Sequence, residues 1–310
     1  GFAATNAIVA DLVPETERES AYAAMRVATN LGFVTGPPLG GLLLIGTHWP
    51  RFFAAVALVG LASAAVALTS LPRGRPAMEA AGEATTPAAG GFRAIVGDRA
   101  FLLLLASTLL GFVVYVAYEA VLPIAAVSSF GLAPATWGLL VIINPVLVTV
   151  LQMRLTRGAE RFPAAPRLAL SMLLMGLPFL LLLVNTGIVV IALVILIFVF
   201  GEMLWTPLAQ ALAARLSPAA YRGAYMGAFG ASSSVAWAIA PLAALYLRQS
   251  HGDTPTWLFF ATAAIAGAAA GIGACRAAAR RPPQTSTVPD TATTAPLAAD
   301  ETSLLEPANR

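Results

Sequence analysis

The stretch GFVTGPPLGG, residues 32–41, lies in a long run without charged side chains. Inside a helix each glycine costs roughly 1 kcal/mol relative to alanine, and each proline about 3 kcal/mol. Gly32, Gly36 and Gly40 recur every four residues, so they share one helix face and leave it bare. Pro37 removes one backbone hydrogen bond and bends the helix. Membrane helices associate through such close backbone approach, and the stretch therefore predicts a bent, tightly packed membrane helix.

The whole chain has the composition of a membrane protein. Of its 310 residues, 58% are hydrophobic and 11% are charged, whereas a soluble domain has about 25% charged residues. Long apolar runs, as a bilayer-spanning helix of about 20 residues requires, recur at 52–71, 101–127, 168–184 and 188–201. They are apolar on every face, which excludes a soluble domain with polar outer faces. The fold class is an all-α, polytopic membrane helical bundle.

The basic charge indicates neither nucleic-acid binding nor enzyme chemistry. All eighteen basic residues are arginines, and they lie in short clusters between apolar runs rather than along one face. Cys275 is the one cysteine, so no internal disulfide can form. The sequence has no cluster of His, Cys and carboxylate residues, no nucleophile motif and no phosphate-binding loop. We therefore expect no enzyme activity, no metal and no cofactor.

Turn signals divide the chain into four parts. Residues 1–72 form a partial bundle: the second half of one helix, then helices at 20–45 and 52–71. A polar linker follows at 73–98. Residues 99–280 form a six-helix bundle, and residues 281–310 are rich in Pro, Thr and Ala and are expected to be disordered. The six helices are predicted at 100–128, 134–156, 165–185, 187–214, 220–248 and 255–279. Because the chain starts within an apolar run, we expect its gene to encode further helices upstream.

The arginines predict the orientation in the membrane. They concentrate in alternate loops, including the linker and the start of the tail, while the opposite loops contain both histidines and only two arginines. Short cytoplasmic loops carry the excess of basic residues, so the linker and the C-terminus are predicted to be cytoplasmic. Four aromatic anchors fall at the other side: Trp49, Trp137, Tyr246 and Trp257. Arginine-rich, alanine-rich and lysine-free usage favours the plasma membrane of a bacterium.

The sequence also contains an internal repeat. Residues starting at Leu12 match residues starting at Leu216, with a proline, an arginine and a second proline in constant register. The matched pairs are Leu12 with Leu216, Pro14 with Pro218, Arg18 with Arg222 and Pro37 with Pro241, each pair 204 positions apart. The stripe of Gly32, Gly36 and Gly40 corresponds to Ala236, Ala240 and Ala244. This pattern indicates a parallel duplication of a helical bundle on either side of the linker.

These features resemble the major facilitator superfamily, and within it the drug:proton antiporters. That branch carries the signature G-x3-G-P-x2-G-G, which here is Gly32, Gly36, Pro37, Gly40 and Gly41. A further glycine of the family pattern is replaced by Ala23. The resemblance implies twelve helices in two halves, of which this chain begins within the fourth. It also implies a monomer in the lipid bilayer that exchanges protons for a small-molecule substrate.

Glu202 is the first candidate for the proton-carrying residue. It lies 13 residues before Arg215, or about 20 Å along a helix, and so near the middle of the bilayer. Ionisable residues at that depth are costly and mark functional sites. The sequence places no cation within a helical turn of it, so we expect a carboxyl buried without a fixed cation, which favours proton uptake. The motif GE-x2-W-x-P resembles a pattern of drug antiporters in which the glutamate couples protons. The alternative is a glutamate that merely links two helices.

Glu119 is the second candidate for proton coupling. It lies about 27 Å beyond Phe101 along its helix, nearer the outer surface. Tyr115 precedes it by one turn and Tyr118 is its neighbour, so the three predict either a second protonation site or a contact for a cationic drug. The alternative is an interfacial glutamate that reaches water.

Arg26 and Asn30 share one helix face and are predicted to line the substrate cavity. Arg26 is expected to pair with a carboxylate across the bundle, or alternatively to extend toward the cytoplasmic surface. Further cavity residues are predicted at Tyr115, Tyr118, Asn144, Gln152, Trp205, Gln210 and Trp237.

The sequence therefore predicts a secondary transporter, with proton-coupled export of small hydrophobic or cationic molecules by alternating access. Two alternatives stay open. One is a metabolite or sugar importer or exporter of the same fold. The other is a truncated or sensor protein that transports nothing, since fold alone does not fix function.

Overall fold

The computed structural model describes residues 8–10, 12–43, 49–70 and 89–280, which form helices joined by short turns, with no strand among them. The predicted all-α class is confirmed. Residues 1–7 of the first partial helix, His48, positions 71–88 of the linker and the tail at 281–310 lie outside the described residues.

Three helices precede the predicted six-helix bundle. A 3₁₀ turn at Glu15–Glu17 leads into α1, Arg18–Leu43, which is followed by α2, Trp49–Ser70. The third, α3, covers Ala89–Gly97 within the predicted linker. It is helical because Ile95 is buried against the bundle, while Asp98 accepts a hydrogen bond from the Phe101 N–H and caps the next helix.

Eight helical segments build the remaining six spans. They are α4 (Arg99–Val116), α5 (Leu122–Ser128), α6 (Pro134–Val141), α7 (Ile143–Glu160), α8 (Ala164–Gly176), α9 (Ile188–Leu216), α10 (Arg222–His251) and α11 (Asp253–Ala279). Among the described residues, seven helices are long and apolar enough to cross a membrane: α2 and these six spans. Polar residues and glycines lower the hydropathy of α1.

Prolines interrupt three of the predicted spans. A π-helical turn at Ala117–Val121 joins α4 to α5 just before Pro123, and α6 ends at Val141, shortly before Pro145. After Gly176, the proline at 178 coincides with a change to a 3₁₀ segment, Leu177–Leu183. Proline lacks the N–H that would continue the α-helical ladder, which accounts for the three interruptions, although Pro207 of α9 and Pro241 of α10 lie inside unbroken helices.

The bundle packs around α4, α8, α9 and α11, and its buried side chains form one apolar cluster. At Gly201 on α9, an added methyl group would lie 2.8 Å from the Met175 backbone nitrogen and the Ser171 carbonyl oxygen of α8. Only glycine permits this approach, and it fixes the position of Glu202, the next residue. α1 packs on α7 and α9, whereas α2 contacts α1 alone among the main neighbours.

The internal repeat is visible in local structure. Pro14 and Pro218 both have extended backbone, and each is followed by a three-residue 3₁₀ turn. The helices after these turns begin at Arg18 and Arg222, again 204 positions apart. Two segments with little sequence identity thus start the same structure in the same register, as a duplication requires.

The arginine clusters gather at one end of the bundle. α1, α4, α8 and α10 begin at this arginine-rich end, and α7, α9 and α11 end there. Three contacts tie α1 and the turn before it to the rest of the bundle here: Glu19 pairs with Arg167, Ser20 donates to Glu160 at 2.9 Å, and Glu15 pairs with Arg215 at 3.0 Å.

Candidate functional site

A buried ion pair joins α1 to α9. The Arg26 guanidinium contacts the Glu202 carboxylate through Nη2 and Oε1. The Glu202 side chain is fully buried, whereas that of Arg26 is 13% exposed. We expected Glu202 to be buried without a fixed cation, and that expectation was wrong. The cation comes from a helix distant in sequence, which spacing along α9 could not reveal.

Two neutral side chains complete the pair. The Asn144 amide donates to Glu202 Oε2 at 2.7 Å, and Arg26 Nη1 donates to the Thr206 hydroxyl at 3.0 Å. Asn144 is the second residue of α7, where the helix restarts after its interruption near Pro145. Thr206 lies one turn after Glu202 on the same face of α9. The carboxylate therefore has a cation and an amide donor as partners, which come from two other helices, α1 and α7.

A cavity of about 560 Å³ opens beside this pair. Arg26 lines it but Glu202 does not, so the carboxylate lies behind the guanidinium as seen from the cavity. The wall consists of one arginine, several aromatic rings, and small or hydroxyl-bearing residues. Its members are Arg26, Phe112, Tyr115, Trp205, Thr206, Ala209, Gln210, Gly227, Phe229, Gly230, Ala231, Ser233 and Ser234.

Aromatic rings from α4, α9 and α10 shape the cavity wall. Phe112 meets Trp205 edge to face, with ring centroids 5.0 Å apart, and Tyr115 packs against Trp237 at 6.4 Å. Tyr115 is also near enough to Arg26 and Glu202 to interact electrostatically with both. The rings create a rigid apolar surface next to the charged pair.

Four of the predicted cavity residues therefore line this cavity: Arg26, Tyr115, Trp205 and Gln210. The others take different positions. Asn30 donates to the Arg26 carbonyl of its own helix at 3.0 Å. Gln152 is buried and donates to the Met203 carbonyl at 2.8 Å, so it ties α7 to α9. Asn144 holds Glu202, and Trp237 supports Tyr115 from behind.

Glu119 and Tyr118 occupy the π-helical turn between α4 and α5. Glu119 is exposed, and Tyr118 is buried and stacks on Phe198 with centroids 4.7 Å apart. Neither residue lines the cavity. Tyr115, one turn before Glu119, lies between it and the Arg26–Glu202 pair and interacts with all three charges.

The glycine motif has no partner among the described residues. No atom of those residues lies within 4 Å of a methyl group added at Gly32 or Gly36. The side-chain surroundings of Pro37, Gly40 and Gly41 are not described. In the repeat, by contrast, Ala236, Ala240 and Ala244 of α10 are all buried. The predicted packing role of the motif stays a prediction.

Several cavity residues were missed from the sequence. Thr206 could have been found from its i+4 spacing to Glu202. Ser233 and Ser234 could have been found from the repeat, because they correspond to Thr29 and Asn30, as Gly230 corresponds to Arg26. Phe112 and Phe229 carried no signal, since an apolar span contains many such rings.

Membrane-spanning helices, an internal repeat and a charged pair beside a cavity are the features of a polytopic membrane protein of repeated architecture. The family model of the Major Facilitator Superfamily matches residues 1–241 and 120–307, and the chain belongs to this superfamily. The predicted superfamily, a family of transporters rather than of enzymes, is thus confirmed.

Among the proteins similar to this chain are an antiporter and a transporter whose crystal structure has been solved. A "Na(+), Li(+), K(+)/H(+) antiporter" of Planococcus maritimus is 23% identical over 266 residues, which are 77% of this chain. The chain spans 62% of the length of that relative. The crystal structure of the human organic anion transporter MFSD10 (TETRAN) superposes with a TM-score of 0.59 at 20% identity, covering 87% of this chain and 67% of that one. At this identity the second likeness concerns the fold alone.

Proposed function

We propose that the protein is a proton-coupled exporter of small hydrophobic or cationic molecules that works by alternating access. The observation that carries the proposal is the buried Arg26–Glu202 pair beside the cavity. The antiporter relative supports exchange against protons.

Protonation of Glu202 would change the charge of the site. With Glu202 ionised, the carboxylate neutralises Arg26, and the Asn144 amide stabilises it further. A proton on Glu202 removes that charge and leaves the guanidinium facing the cavity uncompensated. A buried unpaired charge is costly, so the site must then rearrange or admit water. Proton uptake is thereby linked to a change of conformation.

The pair also joins the two repeated halves. Arg26 lies on α1, before the linker, and Glu202 lies on α9, after it. Weakening the pair loosens the contact between the halves in the middle of the membrane. At the arginine-rich end the Glu15–Arg215 pair is more than half exposed on both sides, and such surface pairs are worth about 0–1 kcal/mol. The Glu15–Arg215 pair can therefore separate at little cost, whereas the Glu19–Arg167 pair at the same end is largely buried and costs more to break.

The cavity wall suits an apolar or cationic ligand. Phe112, Trp205 and Phe229 offer apolar surface, and aromatic faces attract cations. A cation in the cavity would be repelled by Arg26 unless Glu202 were ionised. Cation and proton would thus oppose each other at one site, which is the requirement for exchange. By linkage each weakens the binding of the other by the same factor.

The test is ethidium efflux driven by a pH gradient, in inverted vesicles of cells that express the complete gene. Glu202→Gln preserves shape and removes the titrating group, so we expect it to abolish uphill transport while downhill equilibration continues. Glu119→Gln is the comparison variant: Glu119 is exposed and does not line the cavity, so we expect its loss to change which cations are carried more than to abolish uphill transport. Near-normal uphill transport by Glu202→Gln would assign the glutamate a structural role.

Transport of an organic anion is a second candidate. One observation favours it: Arg26 faces the cavity whereas Glu202 lies behind it. An anion would bind Arg26 best when Glu202 is protonated, so anion and proton would move together. In Glu202→Gln, fluorescein should then bind more tightly than in the wild type and ethidium more weakly.

Alkali-metal exchange, the activity for which the Planococcus relative is named, is not favoured by the described cavity. A bare metal ion needs several oxygen ligands, commonly carboxylates or carbonyls. The charged group that lines this cavity among the described residues is a guanidinium. We therefore take from this relative the exchange of a substrate against protons, and not the alkali-metal ions as substrates.

A further inference from the structure

A second cavity, of about 460 Å³, lies at the arginine-rich end between the end of α7 and the start of α8. It is separate from the Arg26–Glu202 site. Arg154, Arg161 and Arg167 line it together with apolar side chains. The spans that flank it end and begin here, at Glu160 and Ala164, so the cavity lies at the depth of lipid headgroups.

The three arginines leave this cavity with an excess of positive charge. Arg154 and Arg161 are exposed and form no ion pair with the residues that the structure describes. Arg167 pairs with Glu19 through Nη1, but its buried Nε has no hydrogen-bond partner within the described part of the chain. Glu160, nearby, accepts a hydrogen bond from Ser20 instead of pairing with these arginines.

The floor of the cavity is apolar and open to the surroundings. Leu155 and Leu204 line it, and Phe162 and Leu170 are each about half exposed. The Arg161 guanidinium lies over the Phe162 ring, 4.9 Å from its centroid, which orients the charge at the rim. A free phosphate ion would use the arginines but not this apolar surface. A phospholipid would use both, with its phosphate at the rim and an acyl chain along the floor.

We propose that this cavity binds an anionic phospholipid, whose phosphate lies between Arg154, Arg161 and the free Nε side of Arg167. Basic pockets between membrane helices are suited to acidic headgroups. Each arginine near an anionic membrane surface contributes about a fivefold increase in affinity. Three arginines, one on α7, one in the turn after it and one on α8, line this single apolar cavity. The proposal is independent of the transport mechanism above.

Native mass spectrometry of the purified chain tests the proposal, with dioleoylphosphatidylglycerol and dioleoylphosphatidylcholine as competing probes. We expect the wild type to retain phosphatidylglycerol selectively, and affinity to fall about fivefold for each of Arg154→Gln and Arg161→Gln. Arg157→Gln is the matched control, because Arg157 lies on the same helix, is exposed and does not line the cavity. It should bind the lipid as the wild type does.

Three results would overturn the assignment. Equal loss in Arg157→Gln would show diffuse attraction to a basic surface, and equal retention of phosphatidylcholine would remove the charge requirement. Competition by inorganic phosphate at the concentration of the lipid would indicate a phosphate-ion site instead. Because Arg154 and Arg161 are exposed, their single variants are expected to keep the fold, and circular dichroism at 222 nm checks this in the same preparations.

Discussion

At the scale of single residues, the Arg26–Glu202 pair is the feature on which transport is proposed to depend. Thr206 accepts a hydrogen bond from the Arg26 guanidinium, and Asn144 donates one to the Glu202 carboxylate. Of the two charged groups, only the guanidinium lines the cavity. A buried pair of this kind contributes little net stability, because desolvation offsets the attraction. The pair is therefore proposed here as a functional rather than a stabilising feature.

The pair predicts a characteristic pattern of stability. Glu202→Gln or Arg26→Gln alone leaves one buried charge unpaired, and such changes cost about 3–5 kcal/mol. The double variant removes both charges and should be more stable than Arg26→Gln. Thermal unfolding of the purified variants in detergent measures this. If the double variant is as unstable as the sum of the two single variants, the residues are not coupled.

Sequence reasoning found both members of this pair but did not join them. Each was identified as an ionisable residue inside an apolar span, which composition makes conspicuous. Their contact depends on how α1 packs against α9, and no local pattern encodes that. The same holds for Gln152. Its polar side chain in an apolar span predicted a cavity residue, but the side chain instead donates to the Met203 carbonyl and joins α7 to α9.

At the scale of helices, a stripe of small residues occurs at corresponding positions in both copies of the repeat. In α10 the stripe of Ala236, Ala240 and Ala244 is buried, whereas Gly32 and Gly36 of α1 meet no described atom. The sequence predicted the helices well, because apolar length and the alternation of charge are strong signals. It predicted the interruptions poorly, since a proline within an apolar run can either bend a helix or end it.

The two stripes should respond differently to a large side chain. Ala240→Leu overfills a packed contact and should destabilise the chain by about 1–3 kcal/mol. Gly36→Leu should leave the thermal stability of the 310-residue chain unchanged, because it meets open space. In protein expressed from the complete gene, Gly36→Leu should abolish ethidium efflux but not insertion. Normal efflux would show that the glycine motif faces lipid.

At the scale of the whole molecule, the arginine-rich end carries both the contacts of α1 and the proposed lipid site. The orientation stays a prediction from the excess of arginine in alternate loops, and the helix ends described here bring those loops to one end of the bundle. The depth of the two cavities along the bundle could not have been read from the sequence, because it depends on which helices stay in contact at each level.

The orientation predicts which single cysteines react from outside intact cells. In a Cys275→Ala background, His251→Cys should be labelled by a membrane-impermeant maleimide, because His251 is exposed at the end opposite the arginines. Arg157→Cys, exposed at the arginine-rich end, should be labelled only after the cells are opened. The linker and the C-terminus should behave like Arg157. Labelling of Arg157→Cys in intact cells would contradict the proposed orientation.

The central claim is that Glu202 exchanges its proton against the bound substrate. The most direct measurement is the proton change when ethidium binds to the purified protein from the complete gene, followed with a pH-sensitive dye in weakly buffered solution. The account predicts that ethidium releases up to one proton per molecule bound by the wild type, and none from Glu202→Gln. Binding of ethidium without proton release, or with the same release in Glu202→Gln, would contradict it.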